Sequence, residues 1–346
     1  MILNIGINRL KQGTAFKSFG LLRGELPKLV ECGFFFYTKI LYGRKGMRDL
    51  INKPKFTREE EIILKSPNKK MLDVVIALLP AVTAGIYFYK FDALKIILAS
   101  IFTSILCDAV WNYGKDKKFK VKDLSSIVTG LIFALILPSH LPVWIVVIGA
   151  IFTNVFVKSF FGGIGGNFMN PAAAGKVFLI TSWAAVIAKP SREGTIQAST
   201  LMEKFLGSAN GNLGEASVLA LLIGFLFLLL RGVIRHRSTL SYLVFFTLFN
   251  WIFSREGYFI GDYTNVINGA VVLAAVFMAN DYVTIPKEKL GQVIFGGLTA
   301  LLASIIMIYG YNPDGPYYAI IIANLFTPVI DYATRKKDVK EVIIET

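Results

Sequence analysis

The sequence predicts an all-α integral membrane protein of about ten spans, arranged as an inverted five-plus-five repeat with short broken helices. Three observations predict it. The chain of 346 residues is 54% apolar and only 17% charged, too few charges to cover a soluble protein of this size. Apolar runs recur at roughly the 20 residues that a bilayer core of about 30 Å asks of a helix. The Lys and Arg behind the net charge of +14 cluster between those runs and towards both termini, where they serve topology and contact with lipid headgroups. The positive balance is therefore read as membrane-directed, and nucleic acid is excluded as a partner.

Residues 1–70 carry fifteen Lys or Arg and only short apolar patches such as 33-GFFFYTKILYG-43. That suits a cytoplasmic segment lying along the membrane surface, or one packing on a partner, better than one crossing the bilayer. The opening MILNIGINRLKQG lacks the apolar core and cleavage site of a secretory signal, so insertion is expected to rely on internal helices. The first repeat, residues 71–188, holds spans at about 71–89, 93–112, 124–138, 141–160 and 171–188. A polar loop, 189–212, follows. The second repeat, residues 213–334, holds spans at about 213–234, 238–254, 262–280, 290–309 and 315–333, and 335–346 forms a basic tail.

With the N-terminus cytoplasmic, the basic loops 113-YGKDKKFKVK-122, 231-RGVIRHR-237 and 287-KEK-289 and the tail 335-RKKDVK-340 all fall inside. The 189–212 loop then faces outward. Five spans on either side of it make the two halves inverted. The pair 127-IVTGLIFALILP-138 and 266-VINGAVVLAAVFMAND-281 shares a hydroxyl or amide, a Gly, an apolar run and a breaker. Each half then reaches an Asn/Pro/Gly knot, 165-GGNFMNPAAAG-175 and 310-GYNPDGPYYA-319. Matching broken helices in inverted halves are where membrane proteins build ligand and ion sites; two ordinary short helices in a buried bundle give the same pattern.

Three places could carry chemistry. The segment 162-GGIGGNFMNPAAAGK-176 fits neither G-x-G-x-x-G nor the P-loop spacing and follows an apolar span instead of a strand, so a nucleotide loop is rejected. Its glycines, Gly163 and Gly165 among them, would let the backbone approach a flat ligand. Asn170 is a good N-cap, with Pro171 at the first helical turn. A tight turn with small residues for close helix packing explains the same residues. Acidic residues in apolar spans are costly, which singles out Asp108, Asp281 and Asp331, all towards the cytoplasmic face: a cation path would need them, and snorkelling or pairing with nearby Lys and Arg accounts for each alone. Cys32 and Cys107 have no ligand-like spacing, and His140 and His236 lie beside predicted helix ends, so a metal or protein-bound cluster is not expected. In the outer loop, 193-EGTIQASTL-201 offers hydroxyls with no positioned base. That excludes a catalytic serine and leaves either a covalent attachment point or plain loop polarity.

Taken together, 162-GGIGGNFMNPAAAG-175, 268-NGAVVLAAVFMANDYVT-284 and 313-PDGPYYAIIIANLFTPVIDYATR-335 resemble the NqrB/RnfD family, which joins the D subunit of the Rnf electron transport complex and the B subunit of the sodium-translocating NADH:quinone reductase. The resemblance covers about residues 66–337. It implies a subunit of a six-subunit, ion-translocating oxidoreductase of the inner or plasma membrane that passes electrons from ferredoxin or NADH, coupled to Na+ or H+ export. It also implies FMN joined through its phosphate to a hydroxyl by a flavin transferase, at a D-G-x-S/T-G/Q-A-T-x-L pattern. Glu193, Gly194, Gln197, Ala198 and Leu201 align with that pattern and put Ser199 at the acceptor position, where the family has threonine; Ile196 replaces a usual hydroxyl. Thr200 is the alternative acceptor, and an unmodified loop is a third outcome. By the same resemblance a second, noncovalent flavin (riboflavin) is walled by Gly163, Gly165, Asn167 and Asn170, and the three aspartates match acidic positions of an ion path. The rivals are the quinone-reductase subunit, a structural subunit whose flavin site has decayed, and a channel or secondary transporter with the same repeat and no flavin.

Overall fold

The computed structural model describes residues 67–116, 124–161, 163, 165–188, 201–208, 211–234, 236–253 and 268–335. The basic segment before residue 67, the stretch 189–200 and the tail beyond 335 lie outside the described residues. Among the described residues all regular structure is helical. In chain order, α1 is Pro67–Asp116, α2 Ser125–Leu135 and α3 Val143–Ile151, which continues as a π-helix over Phe152–Ser159. Next come α4, Pro171–Ser182, α5, Ala184–Ile187, α6, Leu201–Leu206, and a 3-10 turn at Leu213–Glu215. The second half has α7, Val218–Leu230, α8, His236–Phe253, and α9, Gly269–Leu273, with a π-helical continuation over Ala274–Met278. It closes with α10, Lys289–Ile308, and α11, Gly315–Thr334.

The two spans expected at 71–89 and 93–112 run together in α1, broken at Lys90, whose φ of 51° and ψ of −126° are not helical. The chain reverses there. Near its start, Asp73 pairs with Arg231 at 3.0 Å; at the break, the Tyr89 hydroxyl reaches Gly211 O at 2.9 Å. Beyond it, Trp111 packs against Phe160, back towards the end of the molecule from which α1 set out. A left-handed φ on a lysine is rare, and it is what a one-residue hairpin between two long helices requires.

Caps set the starts of the short helices. The Asn170 side chain accepts from Ala173 N with Pro171 following, Ser217 accepts from Ala220 N, and Asn268 accepts from Ala270 N; each satisfies an N–H that the first turn leaves open. The expected span 171–188 is interrupted at Trp183, where φ is −132° and ψ 44°, so it folds as α4 and α5. The expected 213–234 span opens as the 3-10 turn, held by a capping box in which Asn212 and Glu215 bond reciprocally. By length and composition, 69–114 and Lys289–Ile308 could cross a bilayer, whereas 125–135, 143–159, 218–230 and 269–278 are apolar but shorter.

Packing is close where glycine permits it. A Cβ on Gly224 of α7 would lie 2.2 Å from Ala77 O of α1, so these helices touch backbone to backbone. On the outside, Phe91, Leu98, Phe102, Leu106 and Val110 form an exposed apolar stripe along the second arm of α1, with Phe102 69% exposed. Water would not tolerate so long a stripe, and lipid does.

Candidate functional site

Two buried polar regions lie at opposite ends of the same short helices. The first is a cavity of about 110 Å³ where the starts of α1, α2 and α4, the end of the π-helix after α3, the end of α7 and the end of the π-helix after α9 converge. Apolar walls come from Met71, Val74, Ile132, Leu228 and Phe277, and polar groups from Ser125, Thr129, Lys158, Asn167, Asn170, Asn280 and Asp281. Lys158, 4% exposed, donates to Ser126 Oγ at 3.1 Å and lies within electrostatic reach of Asp281. Asp281 accepts from Val283 N at 3.2 Å. The Asn280 amide nitrogen donates to Thr239 Oγ1, Val276 O and Ala275 O, while its Oδ1, buried, has no hydrogen-bond partner.

The Gly-rich segment reaches the cavity through its asparagines. Asn170 is held twice: its backbone N donates to Asn324 Oδ1 of α11 at 2.8 Å, and its side chain caps α4. Asn167 donates to Met169 O at 3.2 Å. Gly163 and Gly165 both sit at φ of 82°, so the backbone conformation itself demands glycine. A Cβ on either would meet nothing within 4 Å, and neither lines the cavity; their role is the turn that delivers Asn167 and Asn170.

The three aspartates do not share one site. Asp281 lines the cavity. Asp331, at the end of α11, accepts from Lys287 N at 2.8 Å and so fixes the loop before α10. Asp108 accepts from Asn112 one turn on at 3.2 Å and is absent from the cavity wall. Gly194, Ala198, Ser199 and Thr200 lie outside the described residues. The helix that follows them, α6, begins at Leu201, and its far end is tied down: Ser217 Oγ donates to Leu206 O at 2.8 Å and Ser208 N to Ala216 O at 2.8 Å.

The second region was not anticipated from the sequence. Lys176 on α4, with no exposed surface, donates to Ile136 O at the end of α2 at 2.8 Å and to Asn212 Oδ1 at 3.2 Å. It also pairs with Asp314 Oδ1 at 3.2 Å. Beside it Glu215 accepts from Asn212 Nδ2 at 2.6 Å, from Asn212 N at 3.2 Å and from the Tyr317 hydroxyl. Gly269 at the start of α9 lets this turn approach: a Cβ there would lie 2.4 Å from Glu215 O. Lys158 and Lys176 are charged residues inside apolar runs, and the expense of burying such groups was the signal that could have singled them out.

All-helical among the described residues, with an apolar stripe outside and polar groups at two inner places bridged by short helices, the chain has the make-up of a membrane protein. The chain belongs to the family described as NQR2, RnfD, RnfE, whose family model matches residues 64–340. It is 33% identical over 287 residues to the D subunit of the Na+-translocating ferredoxin:NAD+ oxidoreductase complex of Acetobacterium woodii, covering 77% of this chain and 89% of that one. To the D subunit of the proton-translocating ferredoxin:NAD+ oxidoreductase complex of Clostridium ljungdahlii it is 30% identical over 301 residues, 78% and 91% of the two chains. To the D subunit of the ion-translocating oxidoreductase complex of Methanosarcina acetivorans it is 32% identical over 269 residues, 76% and 88%.

Proposed function

We propose that the protein is the D subunit of an ion-translocating ferredoxin:NAD+ oxidoreductase complex, a flavin-bearing electron carrier of the cell membrane that works only with its partner subunits. The observation that carries this reading is the similarity to D subunits of such complexes over 77–78% of the chain, within a family match over 64–340. The activity belongs to the complex: one relative is named for Na+ and another for protons, and the coupling ion of this chain is one of the two.

The finer architecture follows the inverted five-plus-five repeat. Its support is the run of the chain between the two polar regions. The two arms of α1, then α2, α3, α4, α7, α8, α9, α10 and α11 alternate in direction, as ten passes would. The short helices α2 and α9 hold the same place in each half, and α4 and α11 each open with Pro in the first turn. Asn154 of the α3 run bonds Ser104 of α1 at 2.8 Å, and Asn250 of α8 bonds Ser304 of α10 at 3.1 Å, so corresponding helix pairs carry the same kind of clasp. With the basic loops cytoplasmic, the cavity faces inward and the 189–212 loop outward.

On the outer side Ser199, with Thr200 as the alternative, holds FMN as a phosphoester; a serine or threonine hydroxyl supplies the oxygen that this bond needs. On the inner side the cavity fits part of a second, noncovalent flavin. A volume of 110 Å³ is on the scale of a single aromatic ring, so the cavity could take only part of such a ring system. Asn167 and Asn170 would supply hydrogen bonds, and Lys158 would supply a positive charge. Bound flavin provides the redox chemistry; the chain provides position, charge and exclusion of water.

The test is in-gel flavin fluorescence and intact mass under denaturing conditions after coexpression with the flavin transferase. The reading expects one covalent FMN that disappears in Ser199→Ala, or in Thr200→Ala where that residue is the acceptor. Absence of any adduct on the wild-type chain would remove the covalent carrier.

A further inference from the structure

The Lys176 ammonium sits where a free cation would. Its three partners are a backbone carbonyl at the end of a short helix, an amide oxygen and a carboxylate, at 2.8, 3.2 and 3.2 Å. Such oxygens at broken-helix ends are the donors that alkali cations take in membrane proteins. The charge balance points the same way. Asp314 and Glu215, both partly exposed, bring two carboxylates to the one ammonium of Lys176, so without the lysine this cluster holds two carboxylates and no cation. The Asp314 side chain is 16% exposed while that of Lys176 is 1% exposed, which leaves a way in from the surface.

We propose that the oxygens of Ile136, Asn212 and Asp314, backed by Glu215, form a monovalent-cation site that Lys176 occupies as a tethered cation. While the ammonium is in place, Na+ and K+ are kept out of this part of the core. Removing it hands the site to a free alkali cation. The inference does not depend on either flavin.

The full chain is purified as wild type, Lys176→Met, Lys176→Gln and the double variant Lys176→Met with Asp314→Asn. Thermal midpoints are compared in NaCl, KCl and N-methylglucamine chloride at equal ionic strength. NaCl or KCl is expected to raise the midpoint of Lys176→Met and Lys176→Gln by several degrees over N-methylglucamine, saturably, because binding to the folded state stabilises it by mass action. Wild type and the double variant should shift little. Lys176→Gln keeps an N–H donor for Ile136 O and carries the reading where Lys176→Met does not fold. Midpoints of the single variants that ignore the cation overturn the proposal. So does an equal cation dependence in wild type, which would put the ion elsewhere. Failure of both single variants to accumulate even in NaCl overturns it too, since a free cation would then not replace the ammonium.

Discussion

The cavity at Asn280 and the cluster at Lys176 are built from the same helices and end in opposite chemical states. α2 starts at the cavity with Ser125 and finishes on the Lys176 ammonium through Ile136 O. α9 starts against Glu215 at Gly269 and is followed at the cavity by Asn280 and Asp281. α4 runs from Asn170 at the one to Lys176 at the other. At Lys176 the ammonium has three partners and Glu215 three donors, all from this chain. At Asn280 the amide oxygen is left with none. The charged groups at Lys176 pair with one another, whereas the polar groups around Asn280 line a cavity. The same pair of broken helices thus has a closed end and an open end.

Changes at the closed end should cost the most. In N-methylglucamine buffer Lys176→Met strands two carboxylates and is expected to lower stability by about 3–5 kcal/mol, read as the drop in thermal midpoint of the purified chain. The backbone contact between α1 and α7 ranks next: Gly224→Ala puts a Cβ 2.2 Å from Ala77 O, and overpacking of this kind costs about 1–3 kcal/mol. At the open end, Asn170→Ala removes the cap of α4, about 1 kcal/mol. Asn170→Ser restores the cap without the cavity amide, so a Ser variant of near-wild-type midpoint that retains less acid-extractable flavin separates folding from binding. The smallest effects belong to the paired clasps: Ser104→Ala and Ser304→Ala should each cost about 0.6 kcal/mol, the scale of side-chain bonds between membrane helices. Similar losses from both would support the inverted repeat, and a large inequality would weaken it.

Much of the helical layout was legible because apolar run length and breakers are local signals. Pro171 after Asn170 marked the start of α4, whereas the span expected at 262–280 begins its described helix only at Gly269. The break inside 171–188 at Trp183 was not legible, since neither Gly nor Pro stands there. Nor was the one-residue reversal, which a lysine achieves with a backbone angle its sequence does not advertise. At the site, Asn167, Asn170 and Asp281 were named from sequence and meet at one cavity, whereas Gly163 and Gly165, both at φ of 82°, do not line it. The Lys176 cluster was missed for a physical reason: its members, at 136, 176, 212, 215, 314 and 317, come from separated stretches that only the tertiary fold joins. Attention to acidic residues alone also passed over Lys158 and Lys176, the basic residues buried deepest in the apolar runs.

The most direct measurement counts flavin by its mode of attachment in the assembled complex, comparing wild type, Ser199→Ala and Asn170→Ser after acid extraction. The account predicts that Ser199→Ala, or Thr200→Ala where that hydroxyl is the acceptor, loses the protein-bound FMN and keeps the extractable flavin. It predicts the reverse for Asn170→Ser. Loss of both pools together in either variant, or of neither in both, would contradict a chain that holds two flavins at two independent places.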